Sequence, residues 1–485
     1  MKINLLLILI LSPFLFAIGQ SAVDYTIIGN ESSEYSTDID TLGDFLYLVG
    51  NTNECGSNDG FVLKYKGDSI YKRSIVGTES IDVIESIETT NTDTLFIGGF
   101  TNKNNDYDIF LAKLDTQLNI VKTQELELEN WNFCYDIVIN NNNVLGVGKS
   151  HDGLDYDAFI FKVNSKLDTV WTRSINNVKN QQLNKVISYN DSIFVACGYT
   201  EIQGVKKDIY LVSFNSNTGD TLWTKNIGGV NDDLCNSLIK TLDGGIVGFG
   251  TTSSYVSTSE DYMLFKVDSS GSFIWSELHQ VQSGIGVYND HGIDLIELQN
   301  GDLVVASMTE SYGGPAVKST MIMFTNSLGW WLNGYIYDGG HDDYPTSMVK
   351  VNDTTFYIVG VANSQTNGYT DSYLMKMKTV HVNNTITIKN KNVAKFCLTS
   401  IEEKEIEDFK IYPNPIIDNY FSVASDENLE IKMTIYNLLG SIVYKTIGYS
   451  NSEIELSNNL PNGNYILKIE GKTNTVFRKV TYLNN

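Results

Sequence analysis

Side chains able to do chemistry recur in this sequence at fixed intervals. Glu34, Asp82, Asn132, Gln181, Asp233, Asp290 and Asp343 each open an apolar run, and all seven are acids or amides. A second series opens another apolar run: Asp59, Asp108, Asp157, Asp208, Asp261, Ser319 and Asp371, spaced by 49, 49, 51, 53, 58 and 52 residues. Clustered carboxylates suit weak Ca2+ binding or polar contact with a glycan, because hard cations take carboxylate and carbonyl oxygens. A carboxylate repeated in nearly every unit also has a plainer use, accepting backbone N–H bonds in a turn. Enzyme parts are scarce. The five histidines (His151, His279, His291, His341, His381) show no HExxH or paired spacing, and neither a GxSxG elbow nor a P-loop occurs. His291 with Asp290 and His341 with Asp343 are the acid–base arrangements that remain.

The elements that must position these residues form an internal repeat. DAFIFKVNSKLDTVWTRSIN (157–176), DIYLVSFNSNTGDTLWTKNIGG (208–229) and DYMLFKVDSSGSFIWSELH (261–279) share one order of anchor, apolar strand, turn and Trp. A period near 50 residues is too long for a leucine-rich or ankyrin unit and suits a four-stranded propeller blade. One unit reads as strands A to D: LCNSLIKT (234–241), GGIVGFGT (244–251), YMLFKV (262–267) and SFIWSEL (272–278). Pro is absent from residue 14 to residue 314, so every ladder keeps its amides. The seventh unit lacks its D strand, and VDYTIIGN (23–30) resembles one. The expected fold is all-β: a seven-bladed β-propeller closed by an N-terminal strand, which removes exposed sheet edges, followed by a small C-terminal β-sandwich.

In the usual propeller path the D-to-A and B-to-C connections share a face. Both polar series should then rim the channel, with Glu34, Asp82, Asp233, Asp290 and Asp343 as a candidate ligand face. Blade six is the most irregular, with Ser319 for Asp, the longest spacing and the loop SYGGPAVK, so Tyr312 joins Asp290 and Asp343 as a candidate contact. Trp171, Trp223, Trp275 and Trp331 recur on strand D and read as wedges between blades, whereas Trp131 falls outside that series as a candidate stacking platform. Lys185 alone interrupts an acidic and hydroxyl series at one inner-strand position. Cys134 and Cys235 share an A-strand position in blades that are not neighbours, which makes them small buried residues rather than partners.

Composition narrows the partners. A net charge of −24 argues against nucleic acid and against an anionic membrane, since both are held through Lys and Arg. The opening MKINLLLILILSPFLFAIGQ carries an early Lys, an apolar run and small residues Ala17 and Gly19, the pattern of a secretory signal peptide over 1–19. No transmembrane span is expected in the mature form. The propeller then occupies 20–380, a charged linker 381–408 and the C-terminal module 409–485.

That module carries Tyr412-Pro413-Asn414-Pro415, then Tyr436-Asn437-x-x-Gly440, Leu460-x-x-Gly463-x-Tyr465, and Arg478-Lys479 on its penultimate strand. These motifs resemble the type A C-terminal sorting domain of the type IX secretion system. The resemblance implies a Gram-negative source, Sec export to the periplasm, passage through the outer membrane by the type IX machinery, and removal of the domain by a surface sortase. The mature chain would be extracellular or on the outer-membrane surface. The blades resemble bacterial quinoprotein-like repeats, in which a TG or SG turn precedes a Trp, as in Thr218-Gly219 with Trp223 and Ser270-Gly271 with Trp275. The preferred reading is a non-catalytic secreted or cell-surface propeller that binds a glycan or protein. No cofactor is predicted, Ca2+ being the ion considered, and the alternative is a quinone-dependent dehydrogenase or a glycan-cleaving enzyme.

Overall fold

The computed structural model describes residues 24–378, apart from 30–31, 55–57, 68, 79, 92, 104, 152, 176–178, 203–205, 256–258, 280–287, 312–316, 338–339 and 364–369. It also describes 410–483, apart from 418, 425–429, 437–441, 457–459 and 471–474. The signal peptide, the linker, Tyr312 and Gly440 lie outside the described residues. The chain divides into two compact units, Met1–Phe396 and Cys397–Asn485.

The first unit is a ring of seven four-stranded antiparallel sheets. In blade 1 the strands run Glu34–Leu42, Phe45–Thr52, Asp59–Lys66 and Ser69–Val76 from A to D, and the following blades repeat this path. The C strands are buried along almost their whole length because blades pack on both of their faces. In blade 5 every residue of Asp261–Val267 is buried. The apolar clusters cross blade boundaries: Leu145, Val147 and Ile160 of blade 3 join Leu183, Phe194 and Tyr210 of blade 4 in one core. The N-terminal strand Asp24–Ile28 pairs antiparallel with Asp371–Lys378 and supplies the D strand of blade 7. Tyr25, Ile27 and Ile28 are buried there, with the Tyr25 ring 4.3 Å from Tyr337 and 5.2 Å from Tyr373.

The turn glycines and the tryptophans explain each other. Gly219, Gly271 and Gly329 sit in C-to-D turns at φ 74°, 75° and 81°, which favours glycine. A Cβ on any of them would come within 2.9 Å of the Trp of the preceding blade: Trp171, Trp223 and Trp275 respectively. The wedge thus needs a glycine one blade further on. Near the same end, Lys64, Lys113 and Lys162 donate to carbonyls of the next blade's turn, Thr116, Ser165 and Ser216, at 2.7, 3.0 and 2.9 Å.

The second unit is a seven-stranded sheet folded around its own core. Its order is Ile442–Tyr449, Glu430–Tyr436, Gly463–Glu470, Thr475–Leu483, Lys410–Ile417, Tyr420–Ala424 and Glu453–Glu455, with one parallel pair where Lys410–Ile417 meets Thr475–Leu483. Phe421, Val423, Met433 and Leu467 share the core. Tyr465 is buried and its hydroxyl donates to the Pro461 carbonyl at 2.7 Å, whereas Tyr412 is 53% exposed. Gly463 opens one strand, Pro413, Asn414 and Pro415 lie on another, and Arg478 and Lys479 lie on Thr475–Leu483. That is the last described strand and not the penultimate one expected, because Gly463–Glu470 and Thr475–Leu483 form a single hairpin with no strand after it among the described residues.

Candidate functional site

The seven residues that open the A strands are interior rather than a rim. Glu34, Asp82, Asn132, Gln181, Asp233, Asp290 and Asp343 are each 3% exposed or less. The reason is the glycine exit of the D strand, which brings the turn down onto the carboxylate. A Cβ at Gly77 would lie 2.8 Å from Asp82 and 3.0 Å from Asp59. Asp82 accepts from the Thr78 amide at 2.5 Å, and Asp233 accepts from the Gly229 amide at 2.8 Å and Ser254 Oγ at 2.6 Å. Asp290 accepts from Ser311 Oγ at 2.9 Å and Asp343 from the Asn363 amide at 2.9 Å. Glu34 is ion-paired with Arg73, which also holds Glu54. Burial pushes Asp290 up to about 6 and, against the pull of Arg73, Glu34 up to about 7. These groups tie turns to strands and do not present a ligand surface, which corrects the expectation for Glu34, Asp82, Asp233, Asp290 and Asp343. His291 pairs with Glu260 at 3.1 Å instead of with Asp290. His341 is exposed, while Asp343 beside it in sequence is buried. Among the described residues no group of three or more His, Cys, Asp or Glu side chains is arranged to hold a metal ion.

The channel is built by a bulge that repeats in every A strand. Each ladder slips by one residue, at Thr37, Glu85, Tyr135, Asn184, Asn236, Ile293 and Thr346. A bulge re-aims its side chain, and here it turns these seven toward the axis. The next residues, Asp38, Ser86, Asp136, Lys185, Ser237, Asp294 and Ser347, form a second ring. A cavity of about 210 Å3 is lined by all of both rings except Ser86. The second ring is the series that Lys185 interrupts, and its acids clasp neighbouring blades. Asp136 accepts from Ser86 Oγ at 2.9 Å, Lys185 Nζ at 3.1 Å and the Val186 amide at 2.8 Å. Asp38 accepts from the Ile87 amide at 2.9 Å and Ser347 Oγ at 2.7 Å. Asp294 accepts from the Met348 amide at 2.8 Å and Ser237 Oγ at 2.6 Å. Burial holds Asp136 up at about 6 despite Lys185, and Glu85 up at about 8. Lys185 is the one basic side chain lining this cavity, and it is ion-paired.

The open chemistry stands beside the repeated positions. The residue before each C-strand anchor is Asn58, Tyr107, Tyr156, Lys207, Glu260, Lys318 or Thr370. The residue after each A-strand start is Tyr35, Val83, Phe133, Gln182, Leu234, His291 or Tyr344. All but Phe133 are half-buried, and they differ from blade to blade while their neighbours repeat. Across blades 2 to 4 they make an aromatic shelf. Tyr107 lies 5.6 Å from Trp131 and 4.9 Å from Phe133, Trp131 lies 5.5 Å from His151, and His151 lies 4.8 Å from Tyr156. Trp131 is 39% exposed at the outer end, and Tyr135 forms the inner end at the channel. Lys149 Nζ sits over Tyr156 at 4.6 Å, Phe133 at 5.1 Å and Tyr135 at 5.5 Å, and donates to Gln182 Oε1 at 3.1 Å. Lys207 Nζ lies 4.3 Å from the Tyr199 ring. Burial, then the neighbouring Lys207, lowers the Lys149 pKa. Of this shelf only Trp131 stands out in the sequence, because the other members come from three units about 50 residues apart. Aligning the repeats and reading the residue before each anchor is the signal that finds Tyr107, Tyr156 and Lys207.

The fold and this face define a β-propeller, followed along the chain by a small all-β module. Residues 410–482 match the family of secretion system C-terminal sorting domains. This tail implies export to the cell surface or extracellular space and handling by the type IX secretion machinery. Ulvan lyase NLR42 of Nonlabens ulvanivorans is 30% identical over 86 residues, which is 18% of this chain and 16% of the lyase. Among solved structures, Kuenenia stuttgartiensis hydrazine synthase aligns over 72% of this chain and 95% of its own, at 11% identity and a TM-score of 0.46. A Dyadobacter fermentans protein of unknown function aligns over 75% of this chain and 100% of its own, at 10% identity and a TM-score of 0.45. Among the described residues no helix is long and apolar enough to cross a membrane.

Proposed function

We propose that the chain is a secreted or cell-surface binding protein, non-catalytic, whose propeller takes a glycan or protein ligand on the face bearing the D-to-A and B-to-C connections. The observation that carries this reading is the contrast on that face: the carboxylates that open the A strands are interior and hydrogen-bonded, whereas the positions beside them vary and assemble the shelf from Trp131 to Tyr135. Aromatic faces with hydrogen-bonding groups between them suit sugar rings and peptide side chains alike. Loops and strand ends on a rigid scaffold are where binding concentrates. The sorting module is an address in this account, and a surface sortase removes it on export.

One observation favours an enzyme instead. His291 is paired with Glu260 at 3.1 Å on the same face, and burial lowers its pKa so that the imidazole is held neutral, as a general base requires. Full-length protein probed on an array of glycans and proteins separates the two. A ligand retained by the wild type and lost from Trp131→Ala supports the binding reading. Turnover of an arrayed glycan that His291→Gln abolishes overturns it.

A further inference from the structure

The proposed binding face carries a charge pattern that narrows its ligand. The chain has 34 basic against 58 acidic residues, so cations on this face stand out against the overall charge. Lys66, Lys122, Lys185, Lys266, Lys350 and Lys468 each have a carboxylate within 4.0 Å. Lys149 and Lys207 form no ion pair among the described residues, although each affects the shelf: one ammonium stands over Tyr156, the other over Tyr199. Glu201, opposite Lys207 in the strand register, is hydrogen-bonded to Asn180 Nδ2 at 3.0 Å. The charge of Lys207 adds to burial in lowering the Lys149 pKa. Although Asp232 accepts the Lys207 backbone amide at 2.9 Å, neither ammonium has a carboxylate within 4.0 Å among the described residues, so the pair can take an anion supplied from outside.

Resting on the binding reading above, we propose that the shelf of blades 2 to 4 binds an acidic polysaccharide, with sugar rings against Trp131, Tyr107 and Tyr156 and an acid group of the chain at Lys149 and Lys207. The rings supply flat apolar faces for the C–H surfaces of a sugar, and the ammonium groups supply charge complementarity. The channel sets the direction of the chain. The Asp38, Asp136 and Asp294 carboxylates line the cavity beyond Tyr135 and outnumber Lys185 there, so the polysaccharide runs outward from Lys149 toward Trp131. A polyanion made of acidic side chains alone, such as poly-glutamate, would satisfy the lysines and leave the rings unused.

Affinity electrophoresis of the full-length protein tests this with polygalacturonate, dextran sulfate, uncharged dextran and poly-glutamate in the gel. The proposal expects retardation by polygalacturonate and dextran sulfate, weakened by added salt, with little by dextran or poly-glutamate. Trp131→Ala, at an exposed site that leaves the core intact, and Lys207→Gln should each raise the apparent dissociation constant at least tenfold. Lys149→Gln should do the same, with a thermal melt reporting that it has folded. Equal retardation by dextran, lost in Trp131→Ala, would overturn the charge assignment and leave the binding face standing. Equal retardation by poly-glutamate would overturn the sugar. No retardation by either acidic polysaccharide overturns the proposal, and retardation unchanged in all three variants overturns the face as well.

Discussion

At the residue scale, the buried acids make this propeller sensitive to pH in an unusual direction. Glu34 is pushed up to about 7, Glu85 to about 8, and Asp136 and Asp290 to about 6, in each case first by burial. An acid whose folded-state pKa lies above its unfolded value binds more protons in the native state, so stability falls as pH rises through that interval. His279 and His291, with pKa values lowered by burial, oppose this near and below about pH 6.5, where free imidazole titrates. Above that, Glu34 and Glu85 dominate. The melting temperature should therefore be higher at about pH 6.5 than at about pH 8, and a melting temperature that rises across this window would contradict the burial of these groups. The acids are easily read as an exposed rim because a repeated Asp at a strand start looks the same in sequence whether a turn covers it or not. What covers Asp82 and Asp233 is a close glycine turn, a property of the packed ring.

At the element scale, the blades were legible because each is local: four alternating strands, a glycine-bearing turn and a Trp, within about 50 residues. The closure was legible from its two incomplete ends, and Asp24–Ile28 pairs with Asp371–Lys378 as the missing D strand. Deleting residues 23–30 exposes the edge of blade 7 and removes the buried Tyr25, Ile27 and Ile28, each worth about 1.5–3 kcal/mol. A severe fall in melting temperature, with loss of solubility, is expected, and an unchanged melt would mean that the strand is not the clasp. The glycine–tryptophan junction makes a milder prediction. Gly271→Ala forces a side chain into φ 75° and against Trp223, so it should cost at least about 1–2 kcal/mol in chemical denaturation, whereas a neutral result would detach the turn from the wedge. The shelf was not legible in this way. Its rings and lysines come from blades 2, 3 and 4, and only the packing of one blade on the next brings Tyr107 beside Trp131 and Phe133.

At the scale of the whole molecule, an export module follows a propeller whose distinctive chemistry lies on one face. If the module is only an address, mass spectrometry of the exported protein should find a cut between about residues 381 and 410, and finding 411–485 still attached to the mature surface form would contradict that role. The claim on which the functional account depends is that the shelf face meets the ligand. Hydrogen–deuterium exchange of the propeller, with and without an acidic polysaccharide that retards it, tests this most directly. The account predicts slowed exchange at Phe100–Tyr107, Trp131–Tyr135 and Lys149–Tyr156, and no change in the turns at Gly219, Gly271 and Gly329. Protection confined to those turns, or to the His291 and Glu260 strands of blades 5 and 6, would contradict it.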